Sequence, residues 1–180
     1  FCEYRDSRSF PLLLPLLDQP CPVERMSVVY ALGRNPCPSA VEKLVSLLKT
    51  DDNAYVRRAT AWSLANYDNQ IVLEPLINAL KNDVAAVRLW SSSSLAEIGN
   101  VSFENAQLAA EQLLISLKID NEPGVRSNCI WSLCRLYEKL NNTFQESFVD
   151  ECTKIALFDK EPSVMEEAKT ALDSMGMQGF

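Results

Sequence analysis

Val56-Arg57-Arg58-Ala59-Thr60-Ala61-Trp62-Ser63-Leu64 decides how this chain folds, because the stretch returns twice. The copies are Val87-Arg88-Leu89-Trp90-Ser91-Ser92-Ser93-Ser94-Leu95 and Val125-Arg126-Ser127-Asn128-Cys129-Ile130-Trp131-Ser132-Leu133. In all three a Val-Arg pair opens the stretch, and a Leu, at Leu64, Leu95 and Leu133, closes it in the same register. Weaker copies flank them. Glu24-Arg25 leads to Leu32 on one side, and Val164-Met165 leads to Leu172 on the other. Positions one, four or five, eight and nine are apolar or small, which marks the inward face of a helix. The interval between copies is roughly 30–40 residues, and self-similarity at such a period is the signature of a repeat array.

Each copy follows a second apolar helical segment: Phe10 to Leu17, Ala40 to Leu48, Val72 to Leu80, Ala106 to Leu117 and Phe148 to Phe158. Polar turns such as Asp51-Asp52-Asn53 and Lys81-Asn82-Asp83 join the two. The unit is therefore helix A, tight turn, helix B. A hairpin this small cannot bury its apolar faces alone, so neighbours stack and share one core. The expected fold is all-α: a solenoid of about five helical hairpins in a right-handed superhelix, A helices convex and B helices concave. It is expected as a single domain over 1-180, with units at 7-35, 38-67, 70-99, 104-140 and 145-176. The longer repeats are expected to carry their extra residues in loops, near Gly99 to Phe103 and Asn141 to Gln145. Pro11, Pro15 and Pro75 read as bends of outer helices. Gly176 and Gly179 suggest a C-terminal finish. Tyr4-Arg5-Asp6 resembles Tyr67-Asp68-Asn69, the exit from a B helix, so the chain is expected to be truncated on its N-terminal side.

Composition narrows the function. Lys plus Arg total 17 against 24 acidic residues, a net charge of -7, and the basic residues are scattered. Phosphate binding needs them gathered on one face, so nucleic acid is not an expected partner. No apolar run is long enough to span a bilayer, no basic-then-apolar leader opens the chain, and a cytoplasmic location is expected. There is no His, which removes the usual general base and metal ligand at neutral pH and excludes Ser-His and Cys-His nucleophile pairs within the chain. The six Cys are Cys2, Cys21, Cys37, Cys129, Cys134 and Cys152, and none form a CxxC pair. Cys21 and Cys37 both sit between prolines, but about a dozen helical residues separate them, roughly 18 Å, too far to share an ion. No metal site and no catalytic residue is expected; a single exposed thiol such as Cys37 remains able to give one ligand to a shared site.

Two features are open to a binding role. Arg25, Arg57, Arg88 and Arg126 occupy position two of the B helices, with Asp52, Asp83 and Asn121 five residues before the last three. They read as an Arg-to-turn hydrogen-bond ladder fixing one repeat on the next, or as an anion-binding row. The sharper signal is aromatic. Positions three and seven share a face, and position seven is Tyr30, Trp62 and Trp131 in three units of five. These rings either fill gaps between B helices or floor a partner-binding groove. Arg58 is at position three, Ser93 leaves a hollow between the tryptophans, and Asn66, Glu97 and Arg135 form a polar rim. Trp90, at position four, is expected inside, with the serines beside it allowing close helix contact.

Val56 to Leu64, Asp83 to Trp90 and Val125 to Leu133 resemble the HEAT-like repeat proteins of cyanobacteria, a group that includes phycobilin lyase subunits and phycobilisome-associated chaperones. The resemblance covers Ala40 to Leu136. It implies HEAT-type repeats and a choice of roles. Some relatives attach or detach open-chain tetrapyrroles on phycobiliprotein cysteines, usually as paired subunits; others are assembly chaperones; another is linked to an iron–sulfur carrier protein. For this chain the expectation is a non-catalytic scaffold or chaperone, with a phycobiliprotein subunit or a second HEAT-repeat subunit as partner. The alternatives are a lyase subunit and an iron–sulfur carrier partner. No cofactor is expected, though the resemblance leaves a bilin possible: its ring would stack on Trp62 or Trp131 and its propionate would need Arg58 or Arg135.

Overall fold

The computed structural model describes residues 7–68 and 70–177. Among them there are ten α-helices and no strand. These are α1 (Phe10–Leu13), α2 (Pro22–Arg34), α3 (Val41–Thr50), α4 (Ala54–Leu64), α5 (Leu73–Asn82), α6 (Ala85–Gly99), α7 (Phe103–Ile119), α8 (Pro123–Leu136), α9 (Asn142–Phe158) and α10 (Pro162–Ser174). The chain divides into two compact units, one through Ile98 and one from Gly99. In the first, the B helices α2 and α4 pack side by side, and the A helix α3 packs on α4 and α5. In the second, α7 packs on α8 and α9, and α10 packs on α8 and α9. Each unit is thus a layer of A helices against a layer of B helices. Leu32, Leu44, Leu64 and Leu76 are fully buried in the first, and Leu113, Ile130, Leu133 and Phe148 in the second.

The turns explain why the hairpins form. Pro22, Pro123 and Pro162 open B helices, where the missing N–H costs nothing and φ is already helical. Asn53 caps α4, its side chain accepting from the Tyr55 and Val56 N–H groups. Just before it, Asp51 Oδ1 accepts the Asn53 N–H at 2.9 Å, and Asp120 and Asp159 do the same for Glu122 and Glu161. Gly176, at φ +80°, closes α10: the Met177 N–H reaches back to the Leu172 carbonyl at 3.0 Å.

Several expectations change. Phe10 to Leu17 is not one bent helix: α1 lasts four residues and a 3₁₀ turn, Leu14–Asp18, follows. Pro15 stands at the start of that turn, so it marks a change of helix type. Pro11 and Pro75 lie in the first turns of α1 and α5, where no N–H is needed. The added residues of the long repeats are helix rather than loop. α6 has 15 residues against 11 in α4, and α7 has 17 against a continuous helical run of 13 at 70–82. Each limb has gained about one turn of 3.6 residues. Asn142 to Gln145 belongs to α9, capped by Asn141. Tyr4-Arg5-Asp6, Cys2 and Gly179 lie outside the described residues.

Candidate functional site

The position-two arginines are a ladder. Arg25 Nε and one terminal nitrogen donate to both Asp51 oxygens at 2.8 and 2.9 Å, while the other donates to the Gln19 and Pro20 carbonyls. Arg57 repeats this with Asp83 at 2.8 and 2.7 Å and with the Asp51 and Asp52 carbonyls. Arg126 repeats it with Asp159 at 3.0 and 2.7 Å and with the Asp120 and Asn121 carbonyls. Each arginine therefore ties its own turn to the turn of the next repeat. The residue five positions earlier offers only its carbonyl; the carboxylate lies 26 or 33 residues ahead. Burial alone would push Asp51, Asp83 and Asp159 up, but the guanidinium and backbone N–H groups overcome it and hold all three below the ordinary carboxylate value. With carboxylates already seated on Arg25, Arg57 and Arg126, the anion-row reading fails at these three.

The B-helix face is a different environment. In the first unit Tyr30 of α2 and Trp62 of α4 meet with ring centroids 5.3 Å apart, tilted by 55°. Trp62 sits over Gly33, where a Cβ would lie 2.6 Å from the indole and 3.1 Å from the Ser63 backbone. Gap filling is therefore part of its role. Arg58 joins the pair: one terminal nitrogen donates to the Tyr30 hydroxyl at 3.4 Å, and its guanidinium lies 5.7 Å from the centre of the Tyr55 ring. Its Nε is buried with no acceptor. Asn66 is exposed and bonds back to the Ser63 carbonyl at 3.4 Å. Ser93, on α6, is half-buried. In the second unit Trp131 is 40% exposed, and the Arg135 guanidinium covers it 5.0 Å from the ring centre. Such stacking fixes both side chains without removing their outer faces from solvent.

Tyr30, Arg58 and Trp62 thus form one cluster, and Trp131 and Arg135 another. Sequence reading passed over Tyr55 and Arg34. Tyr55 is 64% exposed and lies three residues before Arg58 and seven before Trp62, on their face of the helix. Arg34 follows Tyr30 by four, as Arg135 follows Trp131, and the same spacing would have found it. Trp90 is a correction: it is 36% exposed, not inside. Ser91, Ser92 and Ser94 take the buried positions instead, and the Ser94 hydroxyl donates to the Ala61 carbonyl at 2.8 Å, drawing α6 onto α4.

Cys37, Cys129 and Cys152 are buried, whereas Cys21, which precedes α2, is exposed. Cys37 is buried rather than exposed, its N–H donating to the Tyr67 hydroxyl at 3.3 Å. That hydroxyl donates in turn to the Leu32 carbonyl at 3.0 Å, and burial pushes Tyr67 up to about 12. Burial likewise pushes Cys134 up to about 11 and Cys152 higher still, which disfavours thiolate. Among the described residues no three His, Cys, Asp or Glu side chains gather to hold a metal, and no helix is long and apolar enough to cross a membrane.

Comparison with known proteins agrees with the architecture. No curated protein matches the sequence. Among solved structures, the complex of CpcE and CpcF of phycocyanin lyase from Nostoc sp. PCC7120 is similar at 22% identity and a TM-score of 0.70, covering 92% of this chain and 99% of that one. An engineered protein is 23% identical with a TM-score of 0.68, over 92% and 80% of the two chains. A computationally designed armadillo repeat protein for modular peptide recognition is 20% identical with a TM-score of 0.62, over 90% and 80%. At these identities the likeness is one of fold. The sequence itself matches the HEAT repeats over residues 10–96 and again over 41–134, most of its length. The chain is an all-α solenoid protein and belongs to the HEAT-repeat family.

Proposed function

We propose that this protein is a non-catalytic scaffold or chaperone that grips a protein partner on the aromatic face of its B helices. The observation that carries this is the state of the rings. Tyr55 and Trp131 are exposed, each with an arginine over it, while Trp62 is braced on Gly33 and Tyr30. Rigid, amphipathic aromatics already held in place lose little entropy on binding, which suits them as interface anchors. The likeness to the CpcE–CpcF complex supports a phycobiliprotein subunit, or a second repeat subunit, as the partner class. Capture of an apo-phycobiliprotein subunit by the purified chain tests this. Trp62→Ala and Trp131→Ala should each weaken capture by about tenfold or more; full retention in both variants sinks the B-helix reading.

A second reading is a phycobilin lyase subunit that templates an open-chain tetrapyrrole. The Trp131–Arg135 stack favours it, because a flat ring and a carboxylate could use the same pair. If the chain takes colour from free bilin and passes it to an apo-phycobiliprotein, the binding-only reading loses. The iron–sulfur carrier reading is weakened, since the thiol it would use, Cys37, is buried.

A further inference from the structure

We infer that the α2–α4 face receives an acidic peptide segment of a protein partner, with a carboxylate seated side-on against Arg58. This rests on the scaffold reading above and adds the chemistry of what is gripped.

The inference starts from how this protein uses its arginines. Arg25, Arg57 and Arg126 all meet a carboxylate in one geometry, Nε to one oxygen and a terminal nitrogen to the other. Such bidentate pairs are the strong form of charge-assisted bonding. Arg58 presents the same two donors to nothing comparable. Its terminal nitrogen has only the long contact to the Tyr30 hydroxyl at 3.4 Å, and its Nε is buried without an acceptor. Among the described residues no carboxylate pairs with it. A shielded donor left unmet costs free energy, and a small rotation toward an incoming carboxylate would satisfy it.

Charge points the same way. The whole chain carries -7, yet this face carries cations. Arg34 stands exposed at the end of α2, one turn beyond Tyr30, with no acidic partner among the described residues. Tyr30 and Tyr55 lie beside Arg58, and Trp62 packs on Tyr30; such partial shielding lowers the local dielectric and strengthens any ion pair formed there. The segment that fits places Asp or Glu beside an aromatic or aliphatic anchor. A basic segment would have to bury cation against cation.

The test is selection of a random dodecapeptide display library on the intact chain, then titration of one selected synthetic peptide and its amide analogue, with Asp and Glu replaced by Asn and Gln. Acidic residues next to a large apolar residue should be enriched. Arg58→Gln and the exposed Arg34→Glu should each weaken the acidic peptide by about tenfold, and the amide analogue should be weak on wild type and indifferent to both changes. Arg34→Glu keeps the result readable if Arg58→Gln melts early by circular dichroism. Enrichment of neutral or basic peptides that still need Trp62 overturns the acidic-segment inference and leaves the scaffold reading standing. Equal affinity of the acidic peptide for wild type, Arg58→Gln and Arg34→Glu does the same. If no selected peptide depends on Trp62, the acidic-segment inference falls, and the scaffold reading falls with it only if Trp131→Ala is also without effect on partner capture.

Discussion

Arg57 and Asp83 hold each other through both carboxylate oxygens, and their side chains are only 17% and 13% exposed. Removing one partner strands the other charge partly out of water, which is worse than losing the bond itself. Arg57→Ala or Asp83→Asn should lower stability by about 2 kcal/mol in urea unfolding. The double variant should lose clearly less than the sum, because no stranded charge remains. The exposed Lys43–Asp18 pair should behave oppositely, with Lys43→Ala changing stability by under about 1 kcal/mol. The arginines were legible in the sequence as a repeating position. Their carboxylates were not. A local pattern points to neighbours a few residues away, whereas the hairpin brings alongside a turn 26 residues distant. Trp90 was misplaced for a related reason. Position four faces inward on an ideal helix, but four serines follow it, and three of them satisfy the close contact that the indole would have blocked.

At the scale of elements, Gly33 decides how near α4 comes to α2. Alanine is the better helix former by up to about 1 kcal/mol. Here its Cβ would meet the rigid Trp62 ring at 2.6 Å and the Ser63 backbone at 3.1 Å. Gly33→Ala should therefore destabilise by about 1–3 kcal/mol, read from the urea midpoint, and shift Trp62 fluorescence. An unchanged midpoint would mean that α4 moves away without cost. The recurrence of Val-Arg at Arg57, Arg88 and Arg126 was readable directly, and so were the apolar A segments after the first. Where the extra residues go was not. Stretches such as Asn141-Asn142-Thr143 look like loop because the residues that cap a helix are the residues that make turns. In the fold Asn141 caps α9 and the residues after it are its first turn.

Across the whole molecule, the ladder sets the response to acid. The folded values of Asp51, Asp83 and Asp159 lie below ordinary, so these groups bind protons less readily folded than unfolded. Their contribution is fully present above the unfolded value of about 3.9 and is lost as pH falls through the lower folded values. The melting temperature should hold between pH 7 and 5 and drop below about pH 4, with Asp83→Asn showing a smaller acid-dependent fall. A flat profile to pH 2.5 would contradict the ladder. Fold class was legible here because the apolar repeat is written over most of the chain. The candidate face was half legible: Arg58, Arg135 and three of the rings follow from helical spacing, but Tyr55 was passed over, and which arginine lies over which ring depends on side-chain direction.

The arginine–aspartate clasp also dictates where this protein can be cut and spliced. Each arginine's acceptor is written in the following repeat, so the hairpin seen in sequence is not the self-contained module. A chimaera joined just before Asp83 would leave Arg57 without its anion; one joined between Asp83 and Ala85 would carry the clasp whole. Repeats from this chain are interchangeable only when the seam falls after the aspartate.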